Sequence, residues 1–185
     1  AEVTAGRMLV LYTSHRALRE TYHRLKPACE EKDICLLGHN LDGNHWQLIE
    51  AFCNSERAIL MGASSFWEGV DIPGPALSCV VIVKLPFWAP HVPLVEARME
   101  ELAFHGKDGF HDFSLPQAII RFKQGFGRLI RTSHDRGVVV VLDERILSKK
   151  YGRKFLHSLP LKSHIRGEHT LILKRIAHWF AYHDS

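Results

Sequence analysis

Five short apolar runs punctuate the chain, and stretches of helical periodicity lie between them. The runs are Met8–Tyr12, Ile34–Leu37, Arg57–Ala63, Ser78–Leu85 and Gly137–Leu142. They are rich in Val, Ile and Leu, and the last two are apolar on both alternating faces, as in strands buried on both sides. Ser14 is placed to cap a helix running to about Leu25, which Pro27 ends. A second helix runs from about Asn44 to Cys53. Two more fall between the last two strands, at about Val92–His105 and Leu115–Arg131. Ser114 to Gln117 has the form of a capping box with proline in the first turn. A further helix follows Asp143. An amphipathic one spans about Glu168–His183, with Leu171, Ile172, Ile176, Trp179 and Phe180 to bury. Strands alternating with helices predict one α/β layer domain over residues 1–185, a parallel sheet flanked by helices on both faces.

Composition leaves that picture intact. Apolar residues are 46% and charged residues 24% of 185 positions, enough for one full core. No apolar run approaches the roughly 20 residues that span a bilayer, so no membrane partner is expected. Ala1 to Arg7 is polar and the chain does not begin with Met. The expectation is a cytoplasmic fragment of a longer polypeptide. Cys29, Cys35, Cys53 and Cys79 form no CxxC pair and read as reduced thiols. The histidines are scattered, so no metal site is expected.

Net charge is +4, and its distribution says more than its total. Lys149, Lys150, Arg153, Lys154, Lys162, Arg166, Lys174 and Arg175 face one acid, Glu168, between residues 149 and 175. Such a block is either a nucleic-acid footprint or a solvated surface.

Chemistry concentrates in three segments. At about 100° per residue, Arg121, Gln124, Arg128 and Arg131 share one arc of the predicted fourth helix. Ile119, Phe122, Phe126, Leu129 and Ile130 fall opposite, as a core stripe. Guanidinium forks bind oxygen anions bidentately, so the arc suits phosphate. Gly125 and Gly127 border it, as if to admit a bulky partner. The second segment, Gly62–Gly74, holds Ser64, Ser65, Glu68, Asp71 and three glycines directly after a strand. The third, Tyr12–His15, brings hydroxyls to a helix start, where Ser14 serves either as an N-cap or as a phosphate contact. All three lie where open α/β sheets bind ligands.

What is missing is equally informative. There is no glycine-rich loop ending in Lys-Ser or Lys-Thr, so the chain cannot cradle a triphosphate alone. Asp143-Glu144 is weak evidence for a metal-binding pair. The arginines are half of a phosphate site, to be completed by another domain.

These residues resemble a known family. Gly62, Ala63, Ser64, Ser65, Phe66, Trp67, Glu68, Gly69, Val70 and Asp71 resemble motif V of the DinG/XPD group of superfamily-two helicases. Gln124 to Arg131, with Asp135, Gly137, Asp143 and Arg145 downstream, resembles motif VI, and Leu9 to Ser14 resembles motif IV. The likeness extends to about residue 160. It implies a RecA-like fold and the second motor domain of an ATP-dependent DNA helicase. By the same likeness, Arg131 would be the arginine finger, Arg128 a second contact to the γ-phosphate, and Gln124 would position that phosphate or the attacking water. Glu68, Gly69 and Asp71 would couple nucleotide and DNA, and Thr13, Ser14, Ser64 and Ser65 would touch single-strand phosphates. ATP and Mg would be held mainly by a first motor domain of the same polypeptide, where any iron–sulfur cluster would also lie. The isolated chain would be inactive. The loop at Gly38-His39-Asn40 departs from the Gln-Gly common in relatives, so it is given no DNA role. The competing expectation is a non-catalytic RecA-like module that only binds nucleic acid or protein.

Overall fold

β1 (Met8–Tyr12) lies at the centre of a five-stranded, all-parallel sheet of order β2-β3-β1-β4-β5. Its neighbours are β3 (Ala58–Ala63) and β4 (Cys79–Ile82), with β2 (Cys35–Gly38) and β5 (Val138–Val141) at the edges. Leu9 stands in register with Leu60 on one side and Val80 on the other. The computed structural model describes residues 3–4, 6–68, 72, 76–89, 91–130, 136–161 and 164–183.

The period-two alternation along β1 divides the core. Leu9 and Leu11 enter one hydrophobic cluster, Val10 and Tyr12 the other. The first cluster takes its opposing side chains from α2 (His45–Asn54), α4 (Leu115–Phe126) and α6 (Gly152–His157), through Leu48, Phe52, Phe122 and Phe155. The second takes Leu18, Tyr22 and Cys29 from α1 (His15–Glu31). Helices therefore flank both faces, as the apolar runs require. Cover by α1 thins towards β5, where Val138 to Val141 are only half-buried.

The helix boundaries depart from expectation at three places. Pro27 does not end α1, which continues to Glu31. Pro27 is exposed, so water can take the carbonyl that its missing N–H leaves unbonded, while Cys29 gains a place in the core. The stop comes at Asp33, whose φ of 52° lets the Ile34 N–H reach the Cys29 carbonyl at 2.9 Å. Ser114 is no N-cap. It is helical, its hydroxyl faces the Met99 sulfur, and a π-helical turn, Phe110–Ser114, runs straight into α4. The capping box that forms is Asn44 with Gln47, at the start of α2.

The third departure bears on the site. α4 ends at Phe126 rather than at Arg131. Arg128 and Leu129 donate to Gly125 and Phe126, three residues back, which tightens the chain into a turn. Arg128 is therefore off the helical arc, and Arg131 lies outside the described residues. Two shorter elements follow β5, α5 (Arg145–Ser148) and α6. α3 (Pro93–Phe104) precedes the π turn. α7 (His169–His183) keeps to its expected span, but of its five expected core residues only Phe180 is buried, and Leu171 is exposed. No described helix is long and apolar enough to cross a membrane.

Candidate functional site

The turns after β1 and β3 meet at Trp67. Its indole is fully buried, and the N–H donates to the Tyr12 carbonyl at 2.8 Å. Thr13 and Ser14 follow immediately and are exposed. Ser14 is an N-cap, since its Oγ accepts the Ala17 N–H at 3.2 Å. Its exposure leaves the second role, a contact to phosphate, sterically open.

On the β3 side, Gly62 is needed because a Cβ there would stand 2.3 Å from the Phe66 ring. That close approach folds the chain back at once. Ser64 takes φ of 51°, a left-handed conformation that costs a residue with a side chain, and opens a single 3-10 turn over Ser64–Phe66. Ser64 and Ser65 are exposed, while Phe66 and Trp67 are buried. Strained backbone thus presents two hydroxyls over two anchored aromatic rings. Gly69 and Asp71, expected to couple nucleotide and DNA, lie outside the described residues.

Motif-like residues at the end of α4 and in the turn after it converge on the same tryptophan. Arg128 Nη2 donates to the Trp67 carbonyl at 3.1 Å, across a sequence separation of 61 residues. Gly125 is buried, and a Cβ there would approach Leu11 and the Trp67 ring at 3.0 Å. Its smallness serves internal packing. A Cβ at Gly127 would meet only the carbonyls of its own helix. The expectation that both glycines admit a partner is therefore corrected at Gly125, which packs internally, while half-exposed Gly127 stays clear of other segments among the described residues. Gln124 is exposed.

Arg121 departs furthest from its expected place. It is buried, although the helical wheel put it on the polar arc. Its guanidinium lies 4.2 Å from the Trp88 ring centre and 5.7 Å from that of Trp67. Nη1 points at the Pro86 carbonyl at 3.4 Å, and Nε stands 3.5 Å from the half-exposed Glu68 carboxylate. Burial lowers its pKa, and Glu68 opposes that shift. A buried cation needs such partners. Arg121 clamps Glu68 and the turn after β4 onto α4, so it is a structural cation rather than part of an open basic face. Sequence reading missed this because a wheel counts angles and does not register which aromatic rings arrive from elsewhere.

The acid after β5 is also engaged. Asp143 is buried, accepts the Leu85 N–H at 2.9 Å, and pairs with Arg145 Nη2 at 2.6 Å. Burial pushes its pKa up, but the Arg145 side chain and the two amides outweigh that and hold it at about 2. Asp143 is spent on the fold and does not suit a metal ion. Among the described residues no cluster of His, Cys, Asp and Glu could hold one. Cys29 and Cys79 are buried and Cys35 and Cys53 exposed, all as free thiols.

Comparison with known proteins agrees with the motifs. The family described as helicase C-terminal domain matches residues 1–162. An ATP-dependent DNA helicase YoaA of Haemophilus influenzae is 44% identical over 173 residues, covering 92% of this chain and 26% of that protein. A protein named 3'-5' exonuclease DinG, of Bacillus subtilis, is 43% identical, covering 85% of this chain and 17% of its own length. The ATP-dependent helicase DinG of Mycobacterium tuberculosis is 38% identical, over 84% and 23%. The chain thus spans a quarter or less of these relatives' lengths, or close to it. Among solved structures, apo XPD superposes with a TM-score of 0.63 at 22% identity, covering 84% of this chain and 31% of that one. At that identity the likeness is one of fold.

Proposed function

The chain belongs to the helicase C-terminal domain family of DinG/XPD-like helicases, and from that premise we propose that it is the second motor domain of an ATP-dependent DNA helicase. It would work against a first motor domain in the same polypeptide. The observation that carries this reading is the double engagement of Trp67, whose indole N–H holds the Tyr12 carbonyl and whose own carbonyl holds Arg128. One buried residue joins the turn proposed to face DNA to the arginine proposed to face nucleotide.

In this reading Arg131 is the finger and Arg128 sets its turn. Both bring positive charge to a phosphate whose negative charge spreads in the transition state. Gln124, exposed on the last turn of α4, orients the γ-phosphate or the attacking water. Glu68, Gly69 and Asp71 connect the two ligands. Thr13, Ser14, Ser64 and Ser65 hold single-strand phosphates through hydroxyls and amides. Among the described residues no cluster of His, Cys, Asp and Glu could hold a Mg ion or an iron–sulfur cluster, so no step is assigned to either. Both would belong to the first motor domain. A cytoplasmic location is part of the proposal.

The test is ATP turnover by the isolated chain and by the intact polypeptide, each with and without single-stranded DNA. The isolated chain should be inactive, since it lacks a triphosphate cradle, and the intact protein should respond to DNA. DNA-stimulated turnover by the chain alone would overturn the half-site reading.

A further inference from the structure

A string of aromatic rings crosses the carboxyl ends of β1, β2 and β3. His15, the first residue of α1, lies 5.1 Å from His39, centroid to centroid, and His39 lies 4.7 Å from Phe66. Phe66 meets His45 at 4.6 Å, and His45 meets Trp46 at 5.7 Å. Phe66 is fully buried and founds the string; the imidazoles are half-buried. Trp46, at its outer end, is 76% exposed. The exposed hydroxyls of Ser14 and Ser65 are each one residue from a ring of this string.

We propose that Trp46 is a stacking platform for a base of single-stranded nucleic acid, extending the strand path from the turns after β1 and β3 to the start of α2. The inference rests on reading the domain as a strand-binding motor half. Three observations favour a base over a phosphate at this point. Two amides at the start of α2 are already used, because Gln47 N–H bonds Asn44 Oδ1 at 3.1 Å and Asn44 N–H bonds Gln47 Oε1 at 3.0 Å. The same capping box fixes the first turn of α2, so Trp46 is held out with little backbone entropy left to lose on contact. Burial lowers the pKa of His39, with His15 adding to the shift, and burial lowers that of His45, which disfavours the imidazolium charge a phosphate would draw on. What remains is an exposed π-face, which every base can use. The loop at Gly38-His39-Asn40 then has a DNA role after all. It carries His39, a link in the string, and turns at Asn40 with φ of 62°.

The experiment is equilibrium binding of the intact polypeptide to an oligothymidylate and to an abasic strand of the same length. Trp46→Ala should weaken oligothymidylate binding about five-fold or more, since stacking is worth roughly 1–3 kcal/mol per base. It should leave abasic binding and the salt slope unchanged, because no phosphate contact is lost. Trp46→Phe should keep most of the affinity. An unchanged thermal midpoint is expected for both variants at this exposed position. Wild-type affinity in Trp46→Ala, or equal losses on both strands, would overturn the platform and leave the motor reading standing. A wild-type protein that binds neither strand would overturn both.

Discussion

Trp67 donates its indole N–H to the Tyr12 carbonyl at 2.8 Å, a buried bond between residues 55 positions apart. It fastens the turn after β3 to the end of the central strand. The rest of the site follows from what then packs on that ring, namely Gly125 beneath it and Arg121 beside it.

Gly125→Ala should destabilise the domain even though alanine is the better helix former. The helix gain is about 1 kcal/mol. Against it, the new methyl would press on Leu11 and the Trp67 ring at 3.0 Å, tighter than ordinary contact, in a core where overpacking costs roughly 1–3 kcal/mol. Thermal or urea unfolding would show a lower midpoint. A higher one would mean the Trp67 ring has room to move.

Much of this was legible in sequence and some was not. The strands were, because their apolar runs are short, rich in Val, Ile and Leu, and separated by helical stretches. The start of α2 was, because Asn44 and Gln47 form a local capping box. The end of α1 was not, because Pro27 forbids a hydrogen bond without forbidding a helix whose next turn buries Cys29. The polar arc was half right. Gln124 is exposed, but the helix stops before Arg128, and Arg121 is drawn inward by Trp67 and Trp88 from two other segments. Such long-range partners leave no periodic trace. The left-handed Ser64 was equally silent, since serine rarely adopts that conformation.

Arg121→Ala should cost stability rather than only activity. It removes a buried guanidinium that packs against two indole faces and meets the Pro86 carbonyl and Glu68, and losing that cation–π contact and packing costs about 1–3 kcal/mol. Glu68 is half-exposed, so water can solvate the carboxylate left behind and the ion pair itself adds little. Arg121→Lys should recover only part of the loss, because an ammonium cannot stack between rings as a planar fork does. Unfolding midpoints close to wild type for Arg121→Ala would return this residue to the open basic face.

Acid should loosen the junction of β4 and β5. Asp143 has its pKa depressed from 3.8 to about 2, so its contribution is complete above about pH 4 and lost as pH falls towards 2. The contribution is up to about 2 kcal/mol. In Asp143→Asn that part of the pH dependence should vanish, and stability near pH 7 should fall. Unfolding curves measured across this window would check it. An unchanged acid limb in the variant would show that Asp143 is not the group being titrated.

Arg128 and Arg131 should separate by what each loses. Arg131 follows the turn that closes α4, and an arginine finger acts on charge that develops only in the transition state. Arg131→Ala in the intact polypeptide should therefore cut ATP turnover by roughly 10³–10⁵ while changing ATP affinity far less. Arg128 has a second duty, because its Nη2 holds the Trp67 carbonyl. Arg128→Ala should lower turnover and also lower the unfolding midpoint, since a buried carbonyl loses a charged donor at about 1–3 kcal/mol. Turnover, nucleotide affinity and thermal midpoint measured side by side distinguish the two. A lowered midpoint in Arg131→Ala equal to that in Arg128→Ala would make both arginines structural. Lost affinity with normal turnover at saturating ATP would mean that Arg131 binds the ground state and is no finger.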